Sequence, residues 1–222
     1  MPERYPGWDP RTYWSTGIVA ALLLFVSVLI HEIAHSLVAK ARGFTVEGIT
    51  LFLLGGVARL KSEPEDPKNE LLISSVGPAT SFVVFLFLLM IYWVIPEKST
   101  PFAAVIWYLW VINLMLALFN LLPAFPMDGG RILRSAVWWV TGNLDLATRV
   151  ASRGGQIIGV LLVVVGVFEF FHGILLGIVS VAIGWFLYRS ASSSRKEIGR
   201  GSSECKSATE DVMGSGPEAT TE

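Results

Sequence analysis

Residues 22–39 read LLLFVSVLIHEIAHSLVA. The run is apolar enough for a membrane-crossing helix, which needs about 20 such residues. Yet it contains His31, Glu32 and His35. Ionisable side chains are costly inside a bilayer and tend to mark function there. On a helix, residues i and i+4 lie on one face. Two imidazoles at that spacing can hold one zinc ion, with the intervening glutamate as general base. The bland alternative is a chance match, or a polar seam between helices. Cost argues against it. No cationic residue lies between Leu22 and Lys40, and a buried carboxylate without a partner is expensive.

The rest of the composition agrees with a membrane protein of one compact domain. Of 222 residues, 53% are hydrophobic and 16% charged, against about 25% charged in a typical soluble domain. Net charge is −1, so no broad basic face advertises nucleic acid. The single cysteine, Cys205, excludes an internal disulfide and a cysteine-based metal site. The first apolar run is too long for a signal-peptide core and has no cleavage site after it.

Charge-free stretches outline the spans: 12–30 running on to 39, 71–96, 99 to a stop near Leu121, 154–168 and 170–188. Pro123 and Pro126 end the third. The last block is read as two spans broken near 169–173. The expectation is an all-α polytopic membrane protein with five transmembrane helices. Gly48 to Ala58, with β-formers and Gly55-Gly56, reads as a small membrane-associated β-hairpin. Ile132 to Val140 reads as a short re-entrant or interfacial helix, capped by Gly142. Three domain segments follow: an N-terminal flank over 1–15, the membrane domain over 16–189, and a polar tail over 190–222 whose composition predicts disorder.

Lys and Arg counts in short loops set orientation. Segment 40–70 carries Lys40, Arg42, Arg59, Lys61 and Lys68; segment 131–153 carries Arg131, Arg134, Arg149 and Arg153; the C-terminal flank carries Arg189, Arg195, Lys196 and Arg200. The other side has Arg4, Arg11 and Lys98. Both large loops and the C-terminus are therefore expected in the cytoplasm, with the N-terminus outside, in a multi-pass protein of the cell membrane.

A catalytic zinc needs a third protein ligand and one open position. Asp128 stands out in FNLLPAFPMDGGR, residues 119–131. The prolines stiffen the turn and the glycines permit close backbone approach. The predicted topology puts it at the cytoplasmic side with the end of the HEIAH helix. Spacing alone leaves two readings open: a ligand, or an N-cap of the following helix.

HEIAH in the first hydrophobic helix, followed by this second motif, resembles the site-2 protease family of intramembrane zinc metalloproteases. The matching positions in the second motif are Asn120, Pro126, Asp128 and Gly129. The likeness covers roughly residues 17–189. It implies one Zn²⁺ per chain on His31, His35 and Asp128, with Glu32 catalytic and Asn120 beside the active site. Leu54-Gly55-Gly56 resembles the family's glycine hairpin, which makes Gly55 and Gly56 candidates for substrate binding. Gly77-Pro78 resembles its Gly-Pro motif, although such a pair is more often just a helix-start signal.

The resemblance is to a compact member without a PDZ insertion or CBS-type pair. Only about 15 residues precede the first span, so the hydrophobic helix that commonly leads the family's HExxH helix is expected to be missing or truncated. The implied reaction is hydrolysis of peptide bonds in or near transmembrane segments of membrane-protein substrates, with Glu32 moving the proton. The hairpin edge is expected to receive the unwound substrate as an added strand. The implied partners are a transmembrane protein and the lipid bilayer, with no nucleic acid; the residues give no oligomeric state. Two alternatives stand beside this: a metal-ion transporter, which predicts ligands on several facing spans, and a catalytically inactive membrane-bound relative. Glu169 and His172, three apart, read as loop or interface polars, and Cys205 as an inert tail residue.

Overall fold

The computed structural model describes residues 5–52, 55–60 and 64–193. The elements in chain order are α1 (Pro10–Ala41), β1 (Val46–Phe52), β2 (Gly55–Leu60), α2 (Pro67–Val94), α3 (Pro101–Asn120), α4 (Asp128–Thr141) and α5 (Leu144–Phe171). Residues 176–193 are helical as well. The tail from 194 onward, Cys205 included, lies outside the described residues.

Proline opens α1, α2 and α3, where its missing N–H costs nothing and its fixed φ suits the first turn. Side-chain caps complete several starts. Asp9 accepts from the Arg11 and Thr12 amides, Thr100 from Ala103, and Asn143 from Leu146. Stops are equally local. Gly43, Gly142 and Gly173 take positive φ just beyond α1, α4 and α5, a conformation glycine reaches without strain. The break expected in the last apolar block is thus a turn at His172-Gly173.

Among the described residues, four helices are long and apolar enough to cross a membrane: α1, α2, α3 and α5. That is one fewer than the sequence expectation; the fifth expected span falls on residues 176–193. The 32 residues of α1 extend about 48 Å at 1.5 Å each, longer than a hydrocarbon core of about 30 Å.

Packing is inverted relative to a water-soluble domain. Leu22, Phe87 and Val164 are 61%, 62% and 59% exposed. The buried side chains are small or polar: Ser27, His31, Glu32 and His35 on α1, Ser74 and Ser81 on α2, Asn113 on α3. Helices that are apolar all round and keep polar groups inward suit lipid surroundings. Helices α1, α2 and α3 pack against one another, α4 packs on α2, and α5 packs on α4. Ala20 with Val105 and Leu109 knits α1 to α3. Beside them the Asn113 amide donates to Ser27 Oγ at 3.0 Å. On the far side, Gly159 and Gly166 of α5 meet Gly184 and Gly177. A Cβ at Gly159 would come 2.8 Å from the Gly184 carbonyl oxygen, and one at Gly166 would come 2.6 Å from that of Gly177. Small residues let membrane helices approach this closely.

Strands β1 and β2 pair antiparallel, with Phe52 opposite Gly55, Leu51 opposite Gly56 and Thr50 opposite Val57. The register shifts between Val46 and Gly48. Leu53 and Leu54, between the strands, lie outside the described residues. Both strands pack near α1.

Two expectations on helix starts need correction. Gly77-Pro78 does not open α2, which begins at Pro67; Pro78 sits inside the helix. The charge-free run begins only at Leu71 because Lys68 and Glu70 occupy the helix's first turn. Likewise Asp128 is not the N-cap of α4. Met127 holds that position, and Asp128 is the first helical residue.

Candidate metal centre

Helix α1 carries His31 and His35 one turn apart, both buried. The α3–α4 loop brings Asp128 against them. Asp128 Oδ2 lies 3.1 Å from His31 Nε2 and 3.2 Å from His35 Nε2, and the two Nε2 atoms are 3.2 Å apart. The three atoms form a nearly equilateral triangle. A tetrahedral ion at about 2.0–2.2 Å from each ligand requires edges of about 3.3–3.5 Å. The observed triangle fits that requirement within a few tenths of an ångström. Among the described residues this is the one group of three His, Cys, Asp or Glu side chains close enough to hold a metal.

The outer ring atoms decide what the inner ones can do. His35 Nδ1 is 2.6 Å from the Ile73 carbonyl oxygen. A carbonyl only accepts, so His35 Nδ1 carries the hydrogen. In the neutral ring, Nε2 then presents a lone pair. His31 Nδ1 lies 2.9 Å from Ser81 Oγ, and the hydroxyl can accept in the same sense. Two lone pairs and a carboxylate oxygen then converge with no hydrogen among them. That arrangement is repulsive until a cation joins it. Outer partners of this kind are the usual way a protein orients metal-binding histidines.

Ile73, Gly77 and Ser81 are four residues apart, so they line one face of α2. Gly77 is the floor of that face. A Cβ there would stand 2.6 Å from His35 Cε1, 2.7 Å from His31 Nε2 and closer still to His35 Nε2. Only glycine lets both rings lie on the helix. Pro78 removes one N–H from the ladder just beyond.

Helix α4 meets the loop through glycines too. A Cβ at Gly130 would come 2.5 Å from backbone atoms of Ala124 and Phe125. Asp128 itself is largely buried. Burial pushes its carboxyl up, but whenever the two rings carry hydrogen on Nε2 their hydrogen bonds and charge outweigh that and hold it down to about 2. It is a carboxylate at any working pH.

Other candidates stand as follows. Glu32 is buried next to His31 on α1. Asn120 ends α3, half-buried, and its amide donates to the Leu116 carbonyl at 2.9 Å; it is not brought into the triangle. Gly55 and Gly56 sit in β2 opposite Phe52 and Leu51. His172 caps α5 and its Nδ1 bonds the Phe168 carbonyl. Glu169 accepts from Ser180. Sequence reasoning missed Ser81 and the Ile73 carbonyl. Ser81 had a signal, a hydroxyl four residues beyond Gly77 inside a charge-free span. The carbonyl had none.

Two imidazoles on a membrane-length helix and a carboxylate at the start of α4 converge in a candidate metal centre. A sequence profile of peptidase family M50 matches residues 19–101 and 97–166. The chain belongs to this family, the site-2 proteases. A protein of Synechocystis, named as a putative zinc metalloprotease, is 44% identical over 194 residues, 87% of this chain and 51% of its own length. One so named in Mycobacterium tuberculosis is 37% identical over 201 residues, 89% of this chain and 51% of its own. The solved site-2 protease from Methanocaldococcus jannaschii superposes with a TM-score of 0.62 at 31% identity, covering 83% of this chain and 88% of that one. The chain spans about half the length of the curated relatives it matches. Family membership does not favour the transporter alternative.

Proposed function

We propose that this chain is an intramembrane zinc metalloprotease that hydrolyses peptide bonds in or near transmembrane segments of membrane-protein substrates. The observation that carries the reading is the triangle of His31 Nε2, His35 Nε2 and Asp128 Oδ2, with both imidazole Nδ1 atoms engaged elsewhere. These three residues would hold one Zn²⁺ per chain. When bound, the ion supplies a Lewis acid that brings the pKa of water down to near neutrality. Glu32, buried beside His31, acts as general base: it takes a proton from the attacking water and returns it to the leaving amine. Asn120 bonds Leu116 through one of its two N–H groups; the other serves the peptide carbonyl oxygen.

A substrate helix hides its carbonyls in its own hydrogen bonds, so it must unwind before attack. Strands β1 and β2 are the receiving edge, membrane-associated, with Gly55 and Gly56 leaving room for the added strand. Proline at Leu53 or Leu54 should then slow cleavage. Unchanged cleavage by both variants would remove the hairpin from the mechanism. The protein crosses the cell membrane five times, residues 176–193 being the last crossing and α4 lying at the interface. Both large loops, the active site and the C-terminus face the cytoplasm. The membrane domain covers 16–189, after a flank over 1–15 and before a polar tail over 190–222.

The test is cleavage of a model transmembrane substrate by detergent-purified protein, with zinc counted, for wild type and Glu32→Gln. The wild type should cleave, the variant should not, and both should hold one zinc. Cleavage by Glu32→Gln at the wild-type rate would remove the base. A wild type that takes up no zinc would overturn the whole reading.

A further inference from the structure

The buried ion pair between α2 and α4 is unused by the chemistry above. Glu70 lies in the first turn of α2 and is 1% exposed. Arg134 of α4 donates to Glu70 Oε1 through Nε at 2.7 Å and also through Nη2. Arg131, one turn earlier on α4, brings its Nε within 3.8 Å of the same oxygen. The Arg134 guanidinium lies 5.3 Å from the centre of the Phe125 ring, and Phe125 is buried in the loop that leads into Asp128.

We propose that Glu70 and Arg134 are positioning residues for the metal centre. This rests on the metal reading of the His31, His35 and Asp128 triangle. Residues 128, 131 and 134 follow one another at threes along one stripe of α4. On α2, Glu70 is three residues before Ile73, whose carbonyl fixes the His35 tautomer. The ion pair therefore joins the two supports from which Asp128 and His35 hang. The triangle reaches α2 only through the two rings carried by α1. A forked guanidinium on a carboxylate sets both a separation and an angle, which a point charge does not. The stack on Phe125 extends the same constraint into the loop.

A merely structural pair and a positioning pair behave differently when replaced. Removing one partner of a buried pair strands the other charge, whereas exchanging both for apolar residues of like volume is often neutral for folding. The experiment measures zinc affinity by chelator competition, and thermal unfolding of the metal-free protein in detergent. It compares wild type, Arg134→Lys and the double variant Glu70→Met/Arg134→Met. In the double variant the unfolding midpoint should stay near wild type while zinc binds about 10- to 100-fold more weakly, the range for lost outer-shell support. Arg134→Lys keeps the charge and loses the fork; it should weaken zinc at least tenfold and serves if the double variant does not fold. Wild-type zinc affinity in either folded variant overturns the positioning role. A wild type that binds no zinc overturns the metal reading itself, and this proposal with it.

Discussion

Gly77→Ala is the sharpest perturbation the structure offers. The new methyl would stand 2.7 Å from His31 Nε2 and 2.6 Å from His35 Cε1, where ordinary contact begins at 3.4 Å. The His31 ring would have to retreat by about 0.7 Å, and the His35 ring, whose Nε2 stands closer still, by more. Metal ligands tolerate about 0.2 Å of displacement. Retreat is also opposed, because the far side of each ring is tied, His35 to Ile73 at 2.6 Å and His31 to Ser81 at 2.9 Å. The variant should lose at least about 100-fold in zinc affinity, or about 2.8 kcal/mol at 1.4 kcal/mol per tenfold. Its metal-free fold should lose at most about 2 kcal/mol. Alanine gains about 1 kcal/mol over glycine inside a helix, against about 1–3 kcal/mol for overpacking. Chelator competition and metal counting read the first quantity, and thermal unfolding of the metal-free protein reads the second. A Gly77→Ala protein that binds zinc as tightly as wild type and still cleaves would refute the cradle argument.

Three further outcomes follow from other contacts. Ser81→Ala should weaken zinc about 10- to 100-fold in the same competition assay, because His31 Nδ1 loses its partner. Ser27→Ala removes the acceptor of the Asn113 amide. Such interhelical bonds average about 0.6 kcal/mol in a bilayer, so its unfolding free energy should fall by about that much with zinc affinity unchanged. Gly177→Val would drive a side chain into the Gly166 carbonyl and the Phe170 amide; overpacking of about 1–3 kcal/mol should lower the unfolding midpoint.

The residues of the candidate metal centre, and Glu32 between its two histidines, were legible because their cost makes them stand out. His31, Glu32 and His35 interrupt an apolar run, and Asp128 follows another. What supports them was not legible. In the stripe Ile73, Gly77 and Ser81 only a glycine and a hydroxyl four residues apart give any sign of a role until α1 is laid against α2. Glu70 reads as the charged border of the membrane run, yet it sits inside α2 and is buried. Charge marks where lipid ends, and a helix can continue past that point. Asp128 could be read as a cap because aspartates do cap helices; in the structure Met127 holds the cap position and Asp128 lies against the two imidazoles. Asn120 is the converse case, since its motif position does not bring it into the triangle.

The two histidines are anchored by atoms of different heritability. Ser81 is a side chain, so a single codon change can retune or delete its hold on His31. The Ile73 oxygen belongs to the main chain, and no substitution at residue 73 removes it. Half of the tautomer control is therefore open to drift, and half is written into the path of α2 itself. An inactive descendant of this chain could lose its first anchor by one mutation. Losing the second would take a change in how α2 is wound or seated, which would leave no signature at position 73.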